Sequence, residues 1–307
     1  MDTDKKIFII IVTYNGMQWI ENCLKSVLSS SVAVKIIIVD NGSKDGTVEF
    51  IKSNFKDVLL FEQNQNLGFG KANNVGLDIA LKNNGEYFVL LNQDAYLEKD
   101  TISLLFEEMR LNPEYGILSP VHLNGKGNKI DLYFQFYISP NNCPDFFSDL
   151  FLNKVLKNVY DVNFINAAIW MLSKETLKNV GGFNPYFFHY AEDNDYVNRC
   201  NFKKMNVGIV PKAIAYHDRN LPNRKFDLKT FINLKDLDLL DPNRLCSAKK
   251  MIIQTIKKSI ISIIKLKKTD AFYNYQYLKK MIKNYHLIKR IQITTCEDNY
   301  SFLTYRD

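Results

Sequence analysis

Four positions carry side chains able to do acid–base or metal chemistry just past apolar runs: Asp40, Asp94, Asp193 and His217. Asp40 directly follows the run at 35–39, where an unpaired buried carboxylate is unfavourable. It can accept hydrogen bonds from a pyrimidine ring or a ribose; the plainer alternative is a turn built from Asn41-Gly42 and Asp45-Gly46. Asp94 follows the run at 87–91, a position that suits an oxygen ligand for a hard divalent ion such as Mn²⁺ or Mg²⁺. Capping of a helix beginning near Glu98-Lys99-Asp100 is its bland alternative. Glu192-Asp193-Asn194-Asp195 crowds like charges, which holds carboxyl pKa values up and suits a general base. Acids opening a helix are also favoured by its dipole. His217 follows the segment 213–216 and reads either as a ligand or as a structural hydrogen-bonder.

These side chains need a scaffold that brings distant segments together. Apolar runs at 7–12, 35–39, 58–61 and 87–91 are continuous rather than alternating, as in parallel strands buried on both faces. Between them lie apolar residues at helical spacing: Trp19, Cys23 and Val27, then Ala72, Val75 and Ile79. Strands alternating with helices predict an α/β fold with a doubly wound, mostly parallel sheet and helices on both faces. Thr13-Tyr14-Asn15, Asp40-Asn41-Gly42-Ser43 and Asn92-Gln93-Asp94 all then fall at the carboxyl ends of strands, the edge where open α/β sheets bind ligands.

With these residues in order, the sequence resembles family 2 glycosyltransferases. The resemblance rests on Val12-Thr13-Tyr14-Asn15, on Val39-Asp40-Asn41-Gly42-Ser43 with Asp45-Gly46-Thr47, and on the stretch from Asn66 to Gly76. That stretch, NLGFGKANNVG, is similar to the N-x-G-F-(A/G)-x-(A/G)-x-N-x-G signature of the rhamnosyltransferase-like branch. It is no dinucleotide fingerprint, because its glycines fall at 68, 70 and 76 and it follows the third strand. The resemblance implies a GT-A fold (Rossmann-like) over residues 1–220. It also implies a nucleotide-sugar donor held by Thr13, Tyr14, Asn15, Asp40, Asn41, Lys71, Asn74, Asn92 and Gln93.

Asn92-Gln93-Asp94 fits the family's N-x-D form, so Asp94 is implied as a metal ligand, with His217 as a second. Gly181-Gly182-Phe183 followed by Glu192-Asp193-Asn194-Asp195 resembles the family's acidic motif, with Asn184-Pro185 replacing its D-E. By that match Asp193 is the general base, while Glu192 and Asp195 position the acceptor or the base. Trp170 and nearby aromatics are expected on the acceptor side, with a place in the core as the alternative. One base and no carboxylate nucleophile predicts an inverting displacement. The acceptor is expected to be a glycan or lipid-linked saccharide in surface polysaccharide synthesis; the donor is dTDP-rhamnose or a UDP-hexose.

Composition bounds the rest. The 307 residues are 46% hydrophobic and 24% charged, ordinary for a globular protein. Residues 221–307 hold 18 Lys and Arg against 8 Asp and Glu, so the net charge of +7 belongs to a basic extension, expected to be mostly helical. Five scattered cysteines suit a reducing compartment, and residues 7–12 are too short to span a membrane, which points to the cytoplasm. Residues 249–268 form a basic amphipathic helix. It can contact the inner face of the cytoplasmic membrane, pack on the catalytic domain, or join a second subunit as a homodimer. No nucleic-acid motif accompanies the lysines. The rivals are a nucleotidyltransferase, which would carry a Gly-rich basic loop where Thr13-Tyr14-Asn15 stands, and an inactive sugar-nucleotide-binding module.

Overall fold

Residues Ile7–Thr13 (β1) place six apolar side chains in a row, which only a strand covered on both faces can bury. The computed structural model describes residues 6–219, 227–244 and 247–306, and in it β1 lies inside a sheet with a hydrophobic core on either side. Phe8 and Ile10 enter one core; Ile7, Ile9 and Ile11 enter the other.

Along the chain follow α1 (Ile20–Leu28), β2 (Lys35–Asp40), α2 (Thr47–Asn54), β3 (Leu59–Glu62), α3 (Phe69–Lys82), β4 (Tyr87–Asn92) and β5 (Ala95–Leu97). Next come α4 (Thr101–Leu111), β6 (Tyr115–Asn124), the short α5 (Phe134–Tyr137) and α6 (Phe146–Phe151), β7 (Tyr160–Asp161) and β8 (Ile169–Ser173). Then α7 (Lys174–Asn179), α8 (Glu192–Phe202) and β9 (Asn206–His217) complete the sheet region. Four helices close the chain: α9 (Leu228–Leu240), α10 (Ala248–Ile264), α11 (Lys268–Lys283) and α12 (Tyr285–Cys296).

The sheet runs β3-β2-β1-β4-β8-β6-β9-β5, with β7 beside β9. Its first four strands are parallel, and each begins within a residue of an apolar run read from the sequence. Register sets Thr13 opposite Asp40 and Val12 opposite Asn92, so the polar ends of β1, β2 and β4 meet at one edge. The expected α/β sheet of GT-A type, covered on both faces, is thus the observed one. Antiparallel pairing of β5 with β9 sets Ala95 against His217, and the Asp218 N–H donates to the Asp94 carbonyl at 2.8 Å. This pairing carries His217 to Asp94.

The extension after the sheet is helical, as expected. Its helices build a third core with Phe187 and Ala191, beneath the loop that leads into α8. The chain then returns to the sheet. The Asp78 carboxylate accepts from the N–H groups of Thr304 and Tyr305 and from the Thr304 hydroxyl, while Tyr300 and Leu303 sit in the core beside Phe8. The expected division at 220/221 lies outside the described residues. Cys23, Cys143 and Cys200 are buried free thiols and Cys296 an exposed one; Cys246 lies outside the described residues.

Within α10 the buried residues are Ala248, Met251, Thr255 and Ser262; Ile252 is half-buried against the third core, while Ile253, Ile256, Ile260, Ile263 and Ile264 are exposed. Of the alternatives left open for that helix, packing on the rest of the chain therefore accounts for Ile252 alone among these isoleucines.

Candidate active site

The carboxyl edge of the sheet opens into two adjoining cavities of about 330 and 430 Å³ that share Phe69, Asn92, Asp94 and His189 as walls. Asn92 and Asp94 reach them because β4 ends there; Phe69 arrives on the first turn of α3. Tyr14, Asn41 and Gln93 border the larger cavity, while Glu192, Asp193, His217 and Arg219 border the smaller. Donor-side and acid–base residues separated widely in sequence thus line one continuous cleft.

Asp94 and His217 form a pair, Oδ1 to Nε2 at 3.3 Å, with the imidazole almost fully buried. Burial alone would raise the Asp94 carboxyl pKa, but the His217 hydrogen bond, with the Arg219 charge adding to it, holds it below the usual range. Behind the pair, an Arg219 guanidinium nitrogen sits 2.6 Å from His217 Nδ1. Guanidinium only donates, so Nδ1 accepts and Nε2–H faces Asp94. Arg219 Nε lies 3.1 Å from Asp131 Oδ2, close enough for an ion pair though misaligned as a hydrogen bond.

One carboxylate and one imidazole facing the same cavity, 3.3 Å apart, could together hold a divalent ion that takes further oxygen ligands from outside the protein. Ligation through Nε2 moves the ring proton to Nδ1, which requires Arg219 to turn toward Asp131. Among the described residues no group of three or more His, Cys, Asp or Glu could hold an ion unaided.

Across the cavity α8 begins with Glu192 and Asp193. The two residues before it, Tyr190 and Ala191, hold left-handed backbone (φ 66° and 82°), an unfavourable state for non-glycine residues that often marks functional sites. This sharp entry aims both carboxylates at the cleft. Burial, reinforced by the charge of Asp193, pushes the Glu192 carboxyl up to about 8, and its Oε2 is buried without a hydrogen-bond partner. The Asp193 carboxylate accepts the Asn194 N–H at 2.8 Å.

Several expected contacts are structural instead. The Asp40 carboxylate accepts from the Thr13 hydroxyl, the Ser43 hydroxyl, and the N–H groups of Gly42 and Ser43. Its four acceptor sites are filled, so the Thr13 and Asp40 side chains hold this loop together. Asn15 belongs to the same loop: its N–H donates to the Ser43 hydroxyl and its Oδ1 accepts the Lys44 N–H. Asn74 donates to the carbonyls of Phe183 and Phe302 and accepts the Phe183 N–H, which ties α3 to the loop before α8 and to the chain's end. Lys71 is exposed and lines neither cavity.

Asp195 is buried in an ion pair with Arg199 (2.9 Å) and accepts from Asn184, and Arg199 also donates to the carbonyls of Val180 and Gly182. Trp170 is fully buried, stacked on Phe183 at 6.0 Å, so it belongs to the core and not to the acceptor side. Thr13, Asp40, Asn74 and Asp195 follow the motif pattern, but their side chains turn inward to partners in the loops they join.

Asn166, from the segment expected on the acceptor side, lines the smaller cavity, and the structure adds wall residues that the sequence reading passed over: Tyr133, Tyr137, His189 and Arg219. Tyr133 carries Arg219 over its ring at 4.9 Å. Only the position of Arg219, two residues after His217, offered a local signal. The tyrosines come from the irregular segment after β6, where no periodicity marks them.

Fold and site together define a GT-A-type α/β protein with its working residues at the carboxyl edge. The chain belongs to glycosyl transferase family 2, whose model matches residues 8–177; a model of the N-terminal domain of galactosyltransferase matches residues 154–220. It is similar to the low-salt glycan biosynthesis hexosyltransferase Agl10 of Haloferax volcanii, at 25% identity over 71% of this chain and 69% of that one. It is also similar to the N-acetylglucosaminyl-diphospho-decaprenol L-rhamnosyltransferase of Mycobacterium tuberculosis, at 23% identity over 69% and 75%. Among solved structures, GalNAc-T7 with UDP, GalNAc and Mn²⁺ shares the fold, with TM-score 0.60 and 14% identity over 95% of this chain and 59% of that one. Other curated relatives are much longer: the chain spans 31% of an Escherichia coli chondroitin synthase.

Proposed function

We propose that this protein transfers a sugar from a nucleoside-diphosphate donor to a hydroxyl of a saccharide or lipid-linked saccharide, with inversion at the anomeric carbon. The observation that carries this reading is one cleft lined on one side by Asp94 and His217 and on the other by Asp193 and Glu192. The likeness to a hexosyltransferase and to a rhamnosyltransferase acting on a lipid diphosphate supports the substrate class and leaves dTDP-rhamnose and UDP-hexoses as the donors to test.

The donor nucleotide lies against Tyr14, Asn41 and Asn92 in the larger cavity, with the diphosphate directed toward Asp94. Asp94 and His217 would hold Mn²⁺ or Mg²⁺ there, which neutralises the charge of the departing diphosphate. Asp193 takes the proton of the acceptor hydroxyl as its oxygen attacks the anomeric carbon from the face opposite the leaving group. Glu192, protonated at neutral pH, donates a hydrogen bond to the acceptor or to Asp193 and spares the site a second negative charge. The chemistry resides in residues 1–220, and the extension positions it.

A panel of nucleotide sugars with Mn²⁺ or Mg²⁺ tests this, scored for metal-dependent donor binding and for slow donor hydrolysis. At least one UDP- or dTDP-sugar should bind and be cleaved, with Asp193→Asn retaining binding. Absence of binding to any member, with or without ion, would remove the reading.

A further inference from the structure

Helix α10 is amphipathic, yet it is mounted with its apolar face outward. The side buried against α11 and α12 carries Ala248, Met251, Thr255 and Ser262, with Ile252 half-buried at its margin. Ile253, Ile256, Ile260, Ile263 and Ile264 fall within an arc of about 100° on the helix. They are 41–74% exposed, with Leu266 just beyond the helix end at 83%. Apolar side chains of this size gain from burial, so a contiguous row of five left in water is unfavourable unless something covers it.

Charge decides between the candidate occupants. Seven lysines (249, 250, 257, 258, 265, 267 and 268) flank this row, and no Asp or Glu occurs from Ser247 to Thr269. A symmetric contact with a second copy would set the same patch against itself and bring like charges together. An anionic lipid surface satisfies both halves, with acyl chains meeting the isoleucines and headgroups meeting the lysines. Among the described residues no helix is long and apolar enough to cross a membrane, so the contact is interfacial.

We infer that the outward face of α10 docks the protein onto an anionic membrane surface, lying in the interface plane with its isoleucines inserted and its lysines at the headgroups. The inference does not depend on the transferase reading, because binding to lipid needs no turnover. Through the third core the same helices support Phe187 and Ala191, so the docking element is built onto the loop that leads to Glu192 and Asp193.

The test is co-sedimentation of the full-length protein with vesicles of phosphatidylcholine alone or mixed with phosphatidylglycerol, at low and high salt. Binding is expected only to the anionic vesicles, and weaker at high salt. The double variant Lys250→Gln/Lys257→Gln should partition about thirtyfold less, at roughly 1 kcal/mol per lysine lost. Ile260→Glu/Ile264→Glu should also lose binding while keeping the wild-type melting temperature, since both residues are exposed. Equal binding to neutral vesicles, or variants that bind like wild type, would overturn the inference. So would a concentration-dependent dimer abolished by the isoleucine variant in a protein that ignores vesicles; that outcome would make the face a subunit interface.

Discussion

The side-chain amide of Gln93 grips the main chain of Tyr14 from both ends: Oε1 accepts the Tyr14 N–H at 2.9 Å, and Nε2 donates to the Tyr14 carbonyl at 3.2 Å. This clamp joins the loop after β1 to the end of β4 beside Asp94. A β-carbon on Gly16 would stand 2.2 Å from the same Oε1, so the clamp also depends on that glycine. Gln93→Ala and Gly16→Ala should therefore act alike. Each should lose about 1 kcal/mol of positioning, seen as five- to tenfold weaker nucleotide binding by calorimetry. The double variant should be little worse than either single one; additive losses would show that the residues act separately.

Asp94 and Asp193 face one cavity but are assigned different work, and their amide variants should separate it. Asp193→Asn should lower kcat by about 10²–10⁴ while nucleotide affinity and its response to Mn²⁺ stay unchanged. Asp94→Asn should abolish the strengthening of nucleotide binding by Mn²⁺. An Asp94→Asn protein that still gains affinity from Mn²⁺ would move the ion elsewhere.

The raised Glu192 carboxyl fixes a direction for stability against pH. An unfolded chain releases this proton near 4.5, the folded protein only at about 8. Between those values the folded state binds more protons, so its stability is complete below the lower pKa and declines as pH rises through the higher. At about 1.4 kcal/mol per pKa unit, wild type should lose on the order of a few kcal/mol over that window. Glu192→Gln should flatten the decline, as measured by denaturant unfolding at several pH values. A variant with the wild-type slope would assign the proton to another group.

Asp195 and Arg199 form a buried pair that also ties down the carbonyls of Val180 and Gly182. Removing one partner leaves an uncompensated charge, at about 3–5 kcal/mol. Asp195→Ala should thus lower the melting temperature by roughly 6–15 °C. A variant with wild-type stability and only a raised acceptor KM would return Asp195 to the cleft.

Much of this protein was legible in its sequence because the signals are local. Continuous apolar runs fixed the parallel strands, and polar residues at their ends marked the working edge. Asp94, Asp193, Glu192 and His217, singled out by type, by place and by the motif resemblance, line the cleft. What the sequence could not decide is which way a polar side chain turns. Asp40, Asn74 and Asp195 match the same motifs, and Trp170 was expected beside them, yet all four point inward, because main-chain and side-chain groups of adjoining segments claim their hydrogen-bonding capacity or the core claims their surface. Helix α10 makes the same point in reverse: its periodicity announced an apolar face, but only the tertiary structure showed that Met251, Thr255 and Ser262 take the buried side and leave Ile253, Ile256, Ile260, Ile263 and Ile264 outside. Partner choice depends on residues distant in the chain, and no local pattern records them.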